Sequence, residues 1–339
     1  MDRLHKYLVS HLSSLFFAIF MPLFSIASVI FLIKLATFTA IIQLNILEMG
    51  KLYLFVLPEI LFYTLPITFF IAATLAIFRL SNDNEIIVLF ALGIKPIFII
   101  RAFFKQALVL SIILLFNYLI IFPHIKVIAG NFISYKKSEA KFNISASEFG
   151  HSFGEWLLYL GKDNGDGSYS NVFLFNKNKK EEILISAKKA RLVNDSGILR
   201  LKLNDGQGYS YSKEKFTQID FKTMLINDTM KTTLTPYRKP LDYWRSDERA
   251  EAKRHMLITD TLLSIFPLIS LFLVAAIGVV HARHQKSRIY LYLFLSIILF
   301  YSATLTLQDI LYFYTIPVVA LTWLLVTYLI YRKAIVARF

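Results

Sequence analysis

A chain of 339 residues with 56% hydrophobic side chains, 31 phenylalanines and a mean hydropathy of +0.55 is too apolar for a water-soluble globular protein. It has no cysteine, which excludes disulfides, cysteine-ligated metal and thiol nucleophiles. Its formal charge of +14 is unevenly placed: residues 123–256 hold 23 Lys and Arg against 16 Asp and Glu in a stretch of ordinary polarity, which marks a soluble domain within a membrane protein.

The chain opens on a basic pair, Arg3 and Lys6, like a signal n-region. The apolar run behind it is longer than a signal core and lacks a small-residue cleavage site, so it reads as a retained first span. Six runs are long enough for a hydrocarbon core that needs about 20 helical residues. They cover roughly 14–38, 52–77, 97–122, 257–280, 289–307 and 310–330.

Between the second and third runs lies a short polar segment followed by an apolar one. Ser81 or Asn82 can cap a helix there, with Glu85 three residues after Asn82 as in a capping box. Asp83 and Glu85 place negative charge at the positive end of the helix dipole. Gly93 supplies a residue free to take positive φ, and Pro96 forbids continuation, which predicts a helix of about three turns. Ile86, Ile87, Leu89, Phe90 and Leu92 give it an apolar surface. Such a helix is either an interfacial connector or an element that docks in a partner's groove.

Twelve basic residues, among them Arg3, Lys6, Arg79, Lys95, Arg283, Lys286 and Arg332, fall on one side of this topology, while the short loops opposite hold only Lys51. The positive-inside rule therefore puts both termini in the cytoplasm and the 123–256 domain outside the inner face. That domain alternates in short runs, Trp156–Leu160, Val172–Phe175, Ile183–Ile185, Ile198–Leu201 and Phe216–Phe221, which read as strands. Turn signals stand at Asn164-Gly165, Asp166-Gly167, Asn194–Gly197 and Asn204–Gly206. The expectation is an all-β sandwich or jelly roll. Leu199, Leu201 and Leu203 share one face with Arg200 and Lys202 on the other, so that greasy face is either a packed core or a lipid-holding cleft.

Ionisable residues within the spans mark bundle interiors or cavities. Lys34 lies toward the outer end of the first span, where it snorkels or meets a ligand; Glu59 lies early in the second and Asp260 near the outer end of the fourth. The His281 and His284 turn has no carboxylate to complete a metal site. No phosphate-cradling glycine motif, zinc-protease motif or nucleophile elbow occurs, so no catalytic residue, metal or cofactor is expected, and any ATP hydrolysis belongs to a partner. Two other classes compete: an envelope sensor or scaffold with a peptide- or protein-binding β domain, and an intramembrane enzyme, which requires Glu59 and Asp260 to share one cavity.

Leu57-Pro58-Glu59, then Leu65-Pro66-Ile67, then Leu80–Glu85 through Ala91–Ile94, and finally Arg249-Ala250-Glu251 with Arg254, resemble the LptF/LptG family of lipopolysaccharide-export permease subunits. The layout matches over essentially the whole chain: spans one to three in 1–122 with a coupling helix at about 81–93, a periplasmic β domain in 123–256, and spans four to six in 257–339. The resemblance, closer to LptF than to LptG, implies a six-helix inner-membrane bundle with an inserted jelly-roll-like domain. It implies a dimeric LptB-like ABC ATPase, a second LptG-like permease subunit, an LptC-like bridge protein and lipopolysaccharide as partners, with no nucleic acid. It assigns ATPase coupling to Ser81, Asn82, Asp83, Asn84, Glu85, Leu89, Phe90 and Gly93, and lipid binding to Lys34 together with Leu199 and Leu201 on the greasy β face. Lys34 stands alone where family members carry several basic residues.

Overall fold

The computed structural model describes residues 2–39, 44–142, 149–153, 156–165, 167–177, 181–195, 198–212, 215–227, 240–245, 250–280 and 288–337. They divide into a helical unit, 1–35 with 49–126 and 238–339, and a second unit, 36–48 with 127–237, that holds the sheet.

In the helical unit, uninterrupted apolar sequence gives long helices. α1 (Asp2–Thr39) and α2 (Ile46–Asn82) run through internal prolines, Pro22 in the first and Pro58 and Pro66 in the second. The short α3 (Glu85–Ala91) precedes α4 (Ile97–Phe116), which passes through a π-helical turn, Asn117–Ile121, into α5 (Phe122–Phe142). After the sheet come α6 (Pro240–Arg245), α7 (Ala250–Ile269), α8 (Leu271–Gly278), α9 (Ile289–Leu311) and α10 (Thr315–Tyr331). Pro267 withholds a backbone donor one turn from the end of α7, and the pair α7–α8 bends by 49° just beyond it. The Ser270 hydroxyl at that bend accepts a hydrogen bond from Trp323 Nε1 at 3.0 Å.

Among the described residues, four helical stretches can cross a membrane by length and composition, or five if the bent pair is one span. Six were expected. The difference lies at Ile289–Val336, which forms one helical stretch of 48 residues. Straight, it would reach about 72 Å, more than twice a hydrocarbon core. A 3₁₀ turn at Tyr312–Tyr314, with Tyr312 at φ 51°, interrupts it. The Phe300 and Trp323 rings then meet at 5.1 Å, so α9 and α10 fold back on each other.

Among the described residues the sheet has six strands: β1 (Phe149–Phe153), β2 (Trp156–Asp163), β3 (Ser168–Lys177), β4 (Glu181–Asp195), β5 (Ile198–Ser212) and β6 (Phe216–Asn227). They pair antiparallel in chain order. This simple meander differs from the jelly roll expected, whose strands would cross between two layers. One face buries Leu158, Leu160, Val172, Leu174, Ile185, Leu201 and Leu203 against other residues of the same strands.

Each ladder from β2 to β6 lapses at one row, Gly161, Asn171, Lys188, Asp205 and Lys222, while the register on either side is continuous. Asn171 (φ 56°) and Asp205 (φ 52°) take left-handed backbone there. The buried set changes parity across this crease, from Leu201 and Leu203 to Gly208 in β5 and from Ala187 to Ala190 in β4. The expected turn at Asn204–Gly206 is thus a correction: those residues lie inside a strand of 15 residues. Gly206 is glycine because a Cβ would collide with the Ser186 carbonyl and the Phe221 ring.

Candidate functional site

The segment between the second and third long helices folds differently at its two ends. At its start α2 keeps its ladder, with Asp83 N–H donating to the Arg79 carbonyl at 3.0 Å and Asn84 N–H to Ser81 at 3.1 Å. No breaker stands after Pro66, so the helix runs through Asn82 and neither Ser81 nor Asn82 caps α3, in contrast to the capping-box expectation. Asn84 makes the break instead, at φ 64°, a conformation that Asn tolerates better than most residues, and its side chain makes no cap bond. The resulting helix has seven residues rather than three turns.

The other end follows the sequence expectation. Gly93 takes φ 83°, its N–H donates to the Phe90 carbonyl at 2.9 Å, and Ile94 N–H donates to Leu89 at 3.1 Å. This pair of bonds is a Schellman motif, which satisfies carbonyls that the helix end would leave open.

A helix of seven residues does not hold itself in water. Fully buried Ile86 anchors it, contributing about 1.5–3 kcal/mol, and Phe90 packs against the same core. A stripe faces outward: Val88 is 54% and Leu92 74% exposed, and Asn84 continues it at four-residue spacing beside exposed Asp83. Beside α3 a groove of about 280 Å³ opens between Leu4, Tyr7 and Leu8 of α1 and Asp83, Glu85 and Leu89. Half-buried Glu85 accepts a hydrogen bond from the Tyr7 hydroxyl at 2.8 Å, and Tyr7 packs edge-on to His11 with ring centroids 4.6 Å apart.

Ser81 points the other way. It is buried, its hydroxyl donates to the Val280 carbonyl at 2.6 Å, and its oxygen accepts from Val280 N–H at 2.9 Å. The same seam is pressed close at Gly278, where a Cβ would stand 2.7 Å from Ile77 Cβ and 3.0 Å from the Thr74 carbonyl. Ser81 therefore ties the end of α2 to the end of α8.

The structure thus brings Asp83, Asn84, Glu85 and Leu89 to one surface, places Asn82 and Gly93 exposed at its edges, and turns Ser81 and Phe90 inward. Sequence reasoning missed Tyr7 and Val88. The stripe Asn84, Val88, Leu92 was a usable signal; the Tyr7 contact was not, being made across 78 residues.

Lys34 is exposed on α1, about 27 residues and about 40 Å along the helix from Tyr7. Just before it, Ser28 and Tyr53 hydroxyls share a hydrogen bond at 3.0 Å and Phe31 packs on Tyr53. Leu201, 1% exposed, lies in the sheet core. Leu199 sits opposite Asn194 on β5, and of its side chain nothing is described. His281, Arg283, His284 and Lys286 fall outside the described residues, as does Arg249. Glu59 and Asp260 line one small cavity.

A comparison with curated proteins finds no match. A comparison with family profiles matches residues 6–331 to the family described as lipopolysaccharide export system permease LptF/LptG. With nearly the whole length matched, and with long apolar helices flanking an inserted antiparallel sheet, the chain belongs to the LptF/LptG family of lipopolysaccharide export permeases.

Proposed function

We propose that the chain is the LptF-like, non-catalytic permease subunit of an ABC-type lipopolysaccharide extractor in the bacterial inner membrane. It crosses the membrane six times with both termini cytoplasmic, pairs with an LptG-like subunit, and hands lipid to a periplasmic bridge protein. The fold-back of α9 on α10 supports the sixth span.

The observation that carries this reading is the outward surface of α3. Exposed Val88 and Leu92 beside acidic Asp83 and Glu85, on a helix anchored from behind by Ile86, offer an apolar knob with a negative rim. A chain without a nucleotide motif needs such an element to receive work from an ATPase. Closure of the ATPase moves α3, narrows a cavity between the two permease subunits and pushes the lipid outward. Lys34 meets the lipid's phosphates, and the sheet face carrying Leu201, with Leu199 next along the strand, takes up its acyl chains.

Val88→Asp with Leu92→Asp tests this. Both side chains are exposed, so the chain should fold and insert normally. Co-purification of the ATPase is expected to fall by about tenfold, the equivalent of ~1.4 kcal/mol of docking energy. Undiminished ATPase recovery and unchanged lipopolysaccharide-stimulated ATP hydrolysis would refute the coupling role.

A further inference from the structure

Two acidic residues of the bundle, on different helices, meet at a cavity of about 10 Å³. A single water-sized guest needs about 10–15 Å³. Asp260 on α7 is only 3% exposed, although a carboxylate in hydrocarbon carries a heavy desolvation cost. Glu59 on α2 stands at the exposed side of the same cavity.

The other wall is the π-helical turn Asn117–Ile121, an irregularity that such turns often place at functional sites. Asn117 Nδ2 donates to the Pro58 carbonyl at 2.9 Å, which leaves its Oδ1 on the other branch as an acceptor without a partner. The Tyr118 hydroxyl is also unpartnered, on a residue 98% buried. Its ring is held between Phe62, 5.9 Å away, and Trp244, 5.0 Å away, so the hydroxyl cannot swing out to find water. Burying two unmade hydrogen-bonding atoms beside a carboxylate is costly unless something sits among them.

The groups present are all oxygens: the Asp260 and Glu59 carboxylates, Asn117 Oδ1 and the Tyr118 hydroxyl. Hard oxygen donors select hard cations. Among the described residues, the charged and titratable groups that interact with Asp260 are Glu59 and Tyr63 from α2, Tyr118 from the π turn, Lys126 from α5 and Tyr301 from α9. Lys126 is the one cation among these groups, and its ammonium lies over the Phe122 ring at 4.9 Å. Two carboxylates with one ammonium nearby match a monovalent ion better than a divalent one.

We propose that Asp260, Glu59, Asn117 and Tyr118 bind a single small monovalent cation within the helical bundle, supplied as sodium or as a proton carried on water. The site is built from the bundle's own geometry and is independent of the docking role of α3. Glu59 belongs to the Leu57-Pro58-Glu59 segment, and cation binding gives that segment a use that export coupling does not.

The full chain, in lipid nanodiscs with any subunits that co-purify, is unfolded thermally in sodium chloride, in potassium chloride and in N-methylglucamine chloride, each across a pH series. Sodium is expected to raise the midpoint saturably by about 2–4 °C. Asp260→Asn should abolish the rise, and Tyr118→Phe should weaken it severalfold. A midpoint that ignores sodium but rises on acidification in the wild type and not in Asp260→Asn assigns the site to the proton. Tyr118→Phe keeps the experiment decisive should Asp260→Asn fail to fold, because deleting an unpartnered hydroxyl in an ordinary core is neutral or stabilising in every salt. Identical salt and pH responses of wild type and Tyr118→Phe would overturn the proposal.

Discussion

A buried hydroxyl that both donates to and accepts from one residue's backbone, as Ser81 does with Val280, saturates two part-buried main-chain groups. Ser81→Ala leaves that N–H and carbonyl without partners and should cost about 1–3 kcal/mol. Asn82→Ala, at the exposed neighbour, should stay within about 0.5 kcal/mol. Thermal unfolding of the two variants in detergent reads the difference, and equal midpoints would mean that Ser81 is no tie. The sequence carried the turn chemistry at Gly93, because positive φ is a property of one residue and its immediate neighbours. It misplaced Ser81, because the partner lies 199 residues away and a serine ahead of an apolar run looks the same whether it caps a helix or joins two. Glu85 was found for its charge, while its Tyr7 partner depends on where α1 packs.

At the scale of elements the crease in the sheet is the most instructive feature. The ladders from β2 to β6 lapse at one row, β4 and β5 change the side they bury across it, and Asn171 and Asp205 take left-handed backbone there. Asp205→Val puts a β-branched side chain at φ 52° and should destabilise the sheet by about 1–3 kcal/mol, whereas Asp205→Gly should be neutral or stabilising. Limited proteolysis of the full chain tests this: faster cleavage within 149–227 is expected for the valine variant alone, and equal rates for both would remove the strain argument. Strands β2 to β6 were legible from alternation, because each buries one face. Asn-Asp-Gly was read as a turn because the same composition serves any left-handed backbone, and only the neighbouring ladders distinguish a crease inside a strand from a hairpin end. The helix ends show the same limit, since the apolar runs were plain but the bend near Pro267 and the fold-back at Tyr312 depend on packing.

For the whole molecule, composition alone announced a membrane protein, and the family match over residues 6–331 and the long apolar helices agree with it. Lipid contact is the part that needs measurement. A photo-reactive residue at position 34 should capture lipopolysaccharide, Lys34→Glu should reduce capture by a neighbouring probe severalfold, and a probe at Leu201 should capture lipid only while ATP is being hydrolysed. Capture unaffected by Lys34→Glu, with silence at Leu201, would return the lysine to snorkelling and the leucine to ordinary core. Helix α1 links the first of these positions to the groove beside α3. Tyr7 and Lys34 stand about 40 Å apart on one helix from Asp2 to Thr39, so the carboxylate at position 85 holds one end of a single strut whose other end carries Lys34. A strut passes on axial shift and rotation alike, except where it is soft, and the missing backbone donor at Pro22 is the joint at which that transmission can be lost.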